Sequence, residues 1–303
     1  MTVQFGLFGV NLFTGAGAAG ARHIAVLAEE LGLESLWAVD RIVLPSGYET
    51  GYPYDESGKV MGGQEEFDVA DPLVWLTFAA AVTVRIKLAT GVAIPPLRNP
   101  VVLAKQVASL DALSAGRVLL GVGIGWLEEE YQAVGVPWSD RGRRLDDYVE
   151  ALRALWRDTR ATVHNGHVDF DNAISLPHPT GGSVPVVVSG NTPRAARRAA
   201  RLGDGFFPAA KTPAELAPLL EILRTESQAA GGDPDAIEIT VSYAGEPAAL
   251  DPAADGFQNA FDDLSELSER FEKLGVARVL LPALPEHALR AVAEGLADRF
   301  GPA

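Results

Sequence analysis

Short β-rich apolar runs alternate with stretches of helical periodicity along the whole chain. The runs that read as strands fall near Val3–Gly9, Ser35–Val39, Ile86–Val92, Val118–Gly123, Val184–Ser189, Gly205–Phe207, Ile237–Ala244 and Arg278–Leu281. Between them, apolar positions recur at helical spacing over Ala19–Leu31, Pro72–Ala81, Pro100–Leu113, Arg143–Arg157, Pro193–Leu202, Pro213–Ala230, Phe257–Leu274 and Pro285–Phe300. Several of these helices open on a proline, whose missing N–H is harmless in a first turn. Leu31-Gly32 and Leu274-Gly275 supply the glycine that a helix C-terminus prefers. Eight strands in strict alternation with eight helices predict a (β/α)8 TIM barrel, a single domain over residues 1–303, in preference to an open doubly wound sheet.

Two stretches interrupt the alternation. Residues Arg41–Asp71 follow the second strand and are rich in Gly, Pro, Tyr and acids, so this long loop reads as a lid or substrate wall. Residues Ala161–Leu176 read as a hairpin inserted before the fifth strand, with Asn165-Gly166 as its turn.

Composition narrows the class. The 303 residues are 48% hydrophobic and 21% charged, as in an ordinary globular enzyme. No apolar run approaches the length of a membrane span, and MTVQFGLFGV has no basic n-region, so a cytoplasmic location is expected. A net charge of −15 argues against nucleic acid and anionic membranes as partners and leaves a small-molecule substrate. With no cysteine there are no disulfides, thiolate metal sites or cysteine nucleophiles. The five histidines lack zinc-site spacing, so no metal is expected. Neither a GxSxG elbow nor a Walker loop occurs.

The remaining chemistry gathers where strands end. Thr90-Gly91-Val92 closes the third strand, and a glycine there lets a flat ligand approach the backbone. Gly121, Gly123 and Gly125 end the fourth strand in GxGxG spacing, weak as a dinucleotide fingerprint; Gly123 leaves room for a ligand that Trp126 would line. Of Glu128, Glu129 and Glu130, which begin the next helix, Glu129 is given a catalytic role and its neighbours match the helix dipole. Ser189-Gly190-Asn191-Thr192 leads into a helix, and small polar residues there make either an anion seat or a simple cap. Tyr48, Tyr52 and Tyr54 belong to the lid, with Tyr48 the candidate substrate contact. Arg41 stays protonated at ordinary pH, so it cannot act as a general base. It can anchor a carboxylate or stabilise developing negative charge, although a structural salt bridge to an acid would look the same in sequence.

Several ordered segments, among them GLESLWAVDR, RNPVVLAKQVASLDALSAGRVLLGVGIGW and VVVSGNTPRAARRAARLGDGFF, closely resemble the luciferase-like flavin and deazaflavin oxidoreductases. The compact length and the SGN turn are most similar to members that use coenzyme F420; flavin mononucleotide (FMN) is the alternative cofactor. The resemblance implies a TIM barrel, usually a homodimer, with the cofactor at the strand C-termini. It also implies a non-prolyl cis peptide at Gly91–Val92 behind the cofactor ring, with Asp40 and Thr90 beside it and the cofactor phosphate on Ser189–Thr192. F420-dependent relatives commonly carry Asp-His where this chain has Asp40-Arg41. The departure points away from alcohol oxidation and toward reduction of an unsaturated substrate, or toward an acidic one. The expected function is hydride transfer between F420 and a small organic substrate. The alternatives are an FMN-dependent monooxygenase using dioxygen, a barrel hydrolase, and a cofactor-binding protein without turnover.

Overall fold

A computed structural model describes residues 2–301. Eight parallel strands form a closed barrel: β1 (Gln4–Phe8), β2 (Ser35–Ala38), β3 (Lys87–Thr90), β4 (Val118–Val122), β7 (Val186–Ser189), β8 (Gly205–Phe207), β9 (Glu238–Ser242) and β10 (Val276–Pro282). Each pairs with its neighbours in chain order, and β10 closes on β1 through Gln4 opposite Arg278. This is the TIM barrel expected from the alternation. Among the described residues, no helix is long and apolar enough to cross a membrane.

The helices start where their capping residues say they should. α2 (Pro72–Ala80), α3 (Pro100–Leu113), α6 (Pro193–Leu202) and α7 (Pro213–Ala229) each follow Asp, Asn or Thr with proline at the first helical position. Asp71 accepts from the amides of Leu73 and Val74, and Asn99 from those of Val101 and Val102, so donors that the helix cannot satisfy are paired by side chains. α1 (Ala18–Glu30), α5 (Arg141–Arg157), α8 (Phe257–Glu272) and α9 (Glu286–Phe300) complete the eight helices read from the sequence. A further short helix, α4 (Glu128–Val134), precedes α5. At seven residues it is too short for helical periodicity to declare itself.

The insertion before the fifth barrel strand is an antiparallel pair, β5 (Ala161–His164) and β6 (Asp169–Ala173). The Asn165 amide donates to the Val168 carbonyl at 3.0 Å, so the chain reverses over Gly166-His167, one residue beyond the expected Asn165-Gly166. Asn165 accepts from the amides of His167 and Val168, which organises a connection of four residues between His164 and Asp169.

Two apolar layers hold the barrel. Outward-facing strand residues such as Leu36, Leu88 and Val186 pack beneath the helices. Inside the barrel, Trp37, Ala89, Leu119, Val187, Phe207 and Leu280 fill the space between strands. Below them, at the N-terminal end, the interior is ionic. Arg278, 1% exposed, makes a two-pronged pair with Glu34 at 2.5 and 2.6 Å and donates to Thr240 Oγ1 at 3.0 Å. Lys87 reaches the same carboxylate at 2.7 Å. Burial alone would raise the Glu34 pKa, but the two cations outweigh it and bring it to about 2. The charged bottom and apolar middle leave the C-terminal end as the open face of the barrel.

Candidate active site

The strand C-termini surround a cavity of about 410 Å³, within the size range of cofactor pockets. Its floor is apolar: Phe8 from β1, Val92 after β3 and Phe207 from β8, with the Phe8 and Phe207 rings edge to face at 6.1 Å. The Gly91–Val92 peptide is cis. A Cβ on Gly91 would lie 2.9 Å from Cε2 of Phe8 and 3.2 Å from Cβ of Trp37, so only glycine fits between the floor and the barrel core. Gly123 lines the wall beside it. Thr90 does not reach the cavity: it is fully buried, and its hydroxyl donates to the Gly121 carbonyl at 2.6 Å, tying β3 to β4.

Two buried ion pairs frame one side. The Asp40 carboxylate accepts both Arg98 prongs at 2.5 and 2.7 Å and the Ile94 amide at 2.8 Å. Asp40 therefore lines the cavity with its side chain already committed, fastening the end of β2 to the loop after β3. Its neighbour Arg41 sends Nη1 to Glu130 at 2.5 Å, and its guanidinium carbon lies 5.1 Å from the Trp126 ring centre. Glu130, 1% exposed, also accepts the Ile42 and Val43 amides at 2.8 and 3.2 Å. Burial pushes its carboxyl up, opposed by Arg41 and those amides.

Glu130, and not Glu129 as expected from the sequence, is the buried acid of this helix turn. Glu129 does not line the cavity; it accepts the amides of Glu49 and Thr50 at 2.7 and 3.0 Å and so pins the lid. Burial works to raise its pKa, but the hydrogen bonds from Thr50 and Glu49 win and set it at about 2, far from the range of a general acid. Tyr48 is also displaced from the role expected of it. It is 2% exposed, its hydroxyl accepts the Val60 amide at 2.9 Å, and its ring props Trp126 at 5.6 Å. Trp126 does face the cavity, together with Tyr52 and Tyr54 of the lid.

On the opposite side, Ser189 and Gly190 line the cavity where it meets the N-terminus of α6. Asn191 and Thr192 lie outside it and are exposed. Thr192 caps the helix, its hydroxyl accepting from Ala195 at 3.2 Å. Of the helix arginines, Arg197 pairs with Glu226, and Arg198 with Asp146. Gly190 has φ +138°, and a Cβ there would stand 2.8 Å from that of Ala195. Gly190→Ala is expected to lower the unfolding free energy by about 1–3 kcal/mol. A thermal melt indistinguishable from that of the unaltered protein would refute it.

Arg98, Glu130 and Lys211 are the site residues that sequence reasoning missed. Arg98 carried a signal, as the lone charge in the apolar loop IPPLRNP. Glu130 was one of three successive acids, and only the turn of a short helix decides which of them faces in. Lys211 lies in an irregular loop after β8, where no periodicity points to the cavity it lines.

The family described as luciferase-like monooxygenase matches residues 3–255. An uncharacterized protein of Mycobacterium tuberculosis strain H37Rv is 35% identical over 201 residues, covering 66% of this chain and 71% of that one. An F420-dependent glucose-6-phosphate dehydrogenase of Nocardia farcinica is 34% identical over 235 residues, or 74% of this chain and 65% of that enzyme. Among solved structures, an F420-dependent secondary alcohol dehydrogenase in complex with an F420-acetone adduct shares the fold, with a TM-score of 0.75 and 22% identity over 96% of this chain and 98% of that one. The chain belongs to the luciferase-like monooxygenase family.

Proposed function

We propose that this family member is an F420-dependent oxidoreductase that reduces a small organic substrate. The observation that carries this reading is the span of the cavity. One end meets the N-terminus of a ten-residue helix at Ser189 and Gly190, the middle is flat and apolar, and the other end carries Arg41 and Trp126. A planar, phosphate-bearing cofactor matches that sequence of surfaces. Ser189, Gly190 and the backbone amides of Asn191 and Thr192 would hold the phosphate, aided by the helix terminus. Gly91, Val92 and Phe8 would support the ring. When bound, the cofactor supplies or accepts a hydride; the protein orients the substrate against it and excludes water. The 34% identity to an F420-dependent dehydrogenase favours the deazaflavin over FMN.

Reduction is favoured by what stands beside the cavity. Arg41 offers donors to a developing oxyanion and cannot remove a proton from an alcohol. Titration of the purified protein with F420 and, in parallel, FMN tests the reading by fluorescence. Selective F420 binding is the expected result. A preference for FMN would move the assignment to a flavin monooxygenase, and binding of neither would remove the redox reading altogether.

A further inference from the structure

We propose that the substrate is an uncharged, apolar α,β-unsaturated carbonyl compound, held flat under the lid aromatics with its carbonyl oxygen on Arg41. This deepens the reading above and rests on it. The lid contributes Tyr52, Tyr54, Val60 and Met61 to the cavity, and Trp126 faces them from the barrel side. The Tyr52 ring centre lies 5.0 Å from that of Trp126, tilted, and 5.4 Å from that of Tyr54, edge to face, so the aromatics form one continuous wall. Tyr54 and Met61 remain 43% and 39% exposed, leaving apolar surface open for a ligand to cover.

The electrostatics select against an anion. Of the charged groups that line the cavity, Asp40 pairs with Arg98 and Arg41 with Glu130, while the exposed Lys211 has no ion-pair partner among the described residues. A carboxylate placed on Arg41 under the aromatics would be desolvated beside Glu130, which already takes up that guanidinium's charge. A neutral carbonyl suffers little from that environment. Arg41 is bonded to Glu130 through Nη1 only, so its other N–H groups are available as donors to an oxygen in the cavity.

The chemistry balances on the same geometry. A bound reduced deazaflavin would supply the hydride that the β-carbon takes up; the C=C pair would become the enolate double bond to the carbonyl carbon, and the C=O π pair would move onto oxygen. The resulting enolate oxygen lies against Arg41, and one proton from water at the α-carbon completes the saturated ketone.

Two ligands of nearly equal shape separate the possibilities: 4-phenylbut-3-en-2-one and cinnamate, in which an ionised oxygen replaces the ketone methyl. Binding is read from quenching of tryptophan fluorescence, on the protein as purified and again after F420 loading, with glucose 6-phosphate as a third ligand. The ketone is expected to bind about tenfold or more tightly than cinnamate, and more tightly than glucose 6-phosphate, in both states. Arg41→Met is expected to remove about tenfold of the ketone affinity while leaving F420 affinity unchanged. Equal or tighter binding of cinnamate or glucose 6-phosphate overturns the substrate class, even with F420 firmly bound. Failure of F420 to bind, with the ketone preference intact, instead overturns the cofactor reading and keeps the pocket's selectivity.

Discussion

Arg278→Ala unfolds at markedly lower denaturant than the unaltered protein, with a loss of about 3–5 kcal/mol, because it strands a buried carboxylate. Glu34 would keep only Lys87, whose side chain is 40% exposed and therefore well hydrated. Chemical denaturation with a two-state fit measures the loss. Replacing both partners at once, as Glu34→Gln with Arg278→Met, is expected to recover most of it, since no uncompensated charge then remains inside the barrel. A single variant as stable as the original would show that the pair contributes nothing. The same pair sets an acid limit. The Glu34 pKa is about 2 in the fold against an ordinary 4.5, so its contribution is complete above about 4.5. It is lost progressively as pH falls from there through about 2. In Arg278→Ala that stretch of the acid-unfolding curve is expected to flatten.

The second large effect falls on turnover. Once a substrate is in hand, Arg41→Met is expected to lower kcat by about 10²–10³-fold, the loss typical of removing one oxyanion donor. The dissociation constant for the cofactor is expected to stay within about twofold, as Arg41 faces the lid end of the cavity rather than the α6 end. Lysine at position 41 is expected to restore little. An ammonium lacks the planar fork that pairs with Glu130 and lies over Trp126 at the same time. Steady-state kinetics with cofactor binding measured separately decides the matter; an unaltered kcat would make Arg41 a structural partner of Glu130 and nothing more.

What could be read from sequence divides along physical lines. The barrel was legible because burial writes itself into periodic patterns, and proline after a capping residue marked four helix starts within a residue or so. Gly91, Gly123, Ser189 and Gly190 were legible by position, since parallel strands deliver their ends to one face. The ion pairs were not. Asp40 meets Arg98 across 58 residues and Arg41 meets Glu130 across 89, and no local pattern encodes a partner so distant. Glu129 and Tyr48 show the complementary error. Each has the right chemistry and lies near the cavity, but its hydrogen bonds hold the lid in place instead of facing the substrate.

The lid is fastened by consecutive glutamates on α4, and what they grip is backbone. Glu130 takes the amides of Ile42 and Val43, and Glu129 takes those of Glu49 and Thr50. Every residue but proline carries that amide, so the grip is indifferent to the other side chains chosen at those positions. The side chains proposed to meet the ligand, Tyr52, Tyr54, Val60 and Met61, lie beyond the last amide that the glutamates grip, on a stretch that shares no residue with the proposed cofactor floor. The chain thus separates the backbone that anchors the lid from the side chains that line the cavity. On the proposed function, a small library at these four positions is expected to redirect substrate preference with cofactor binding left as it is.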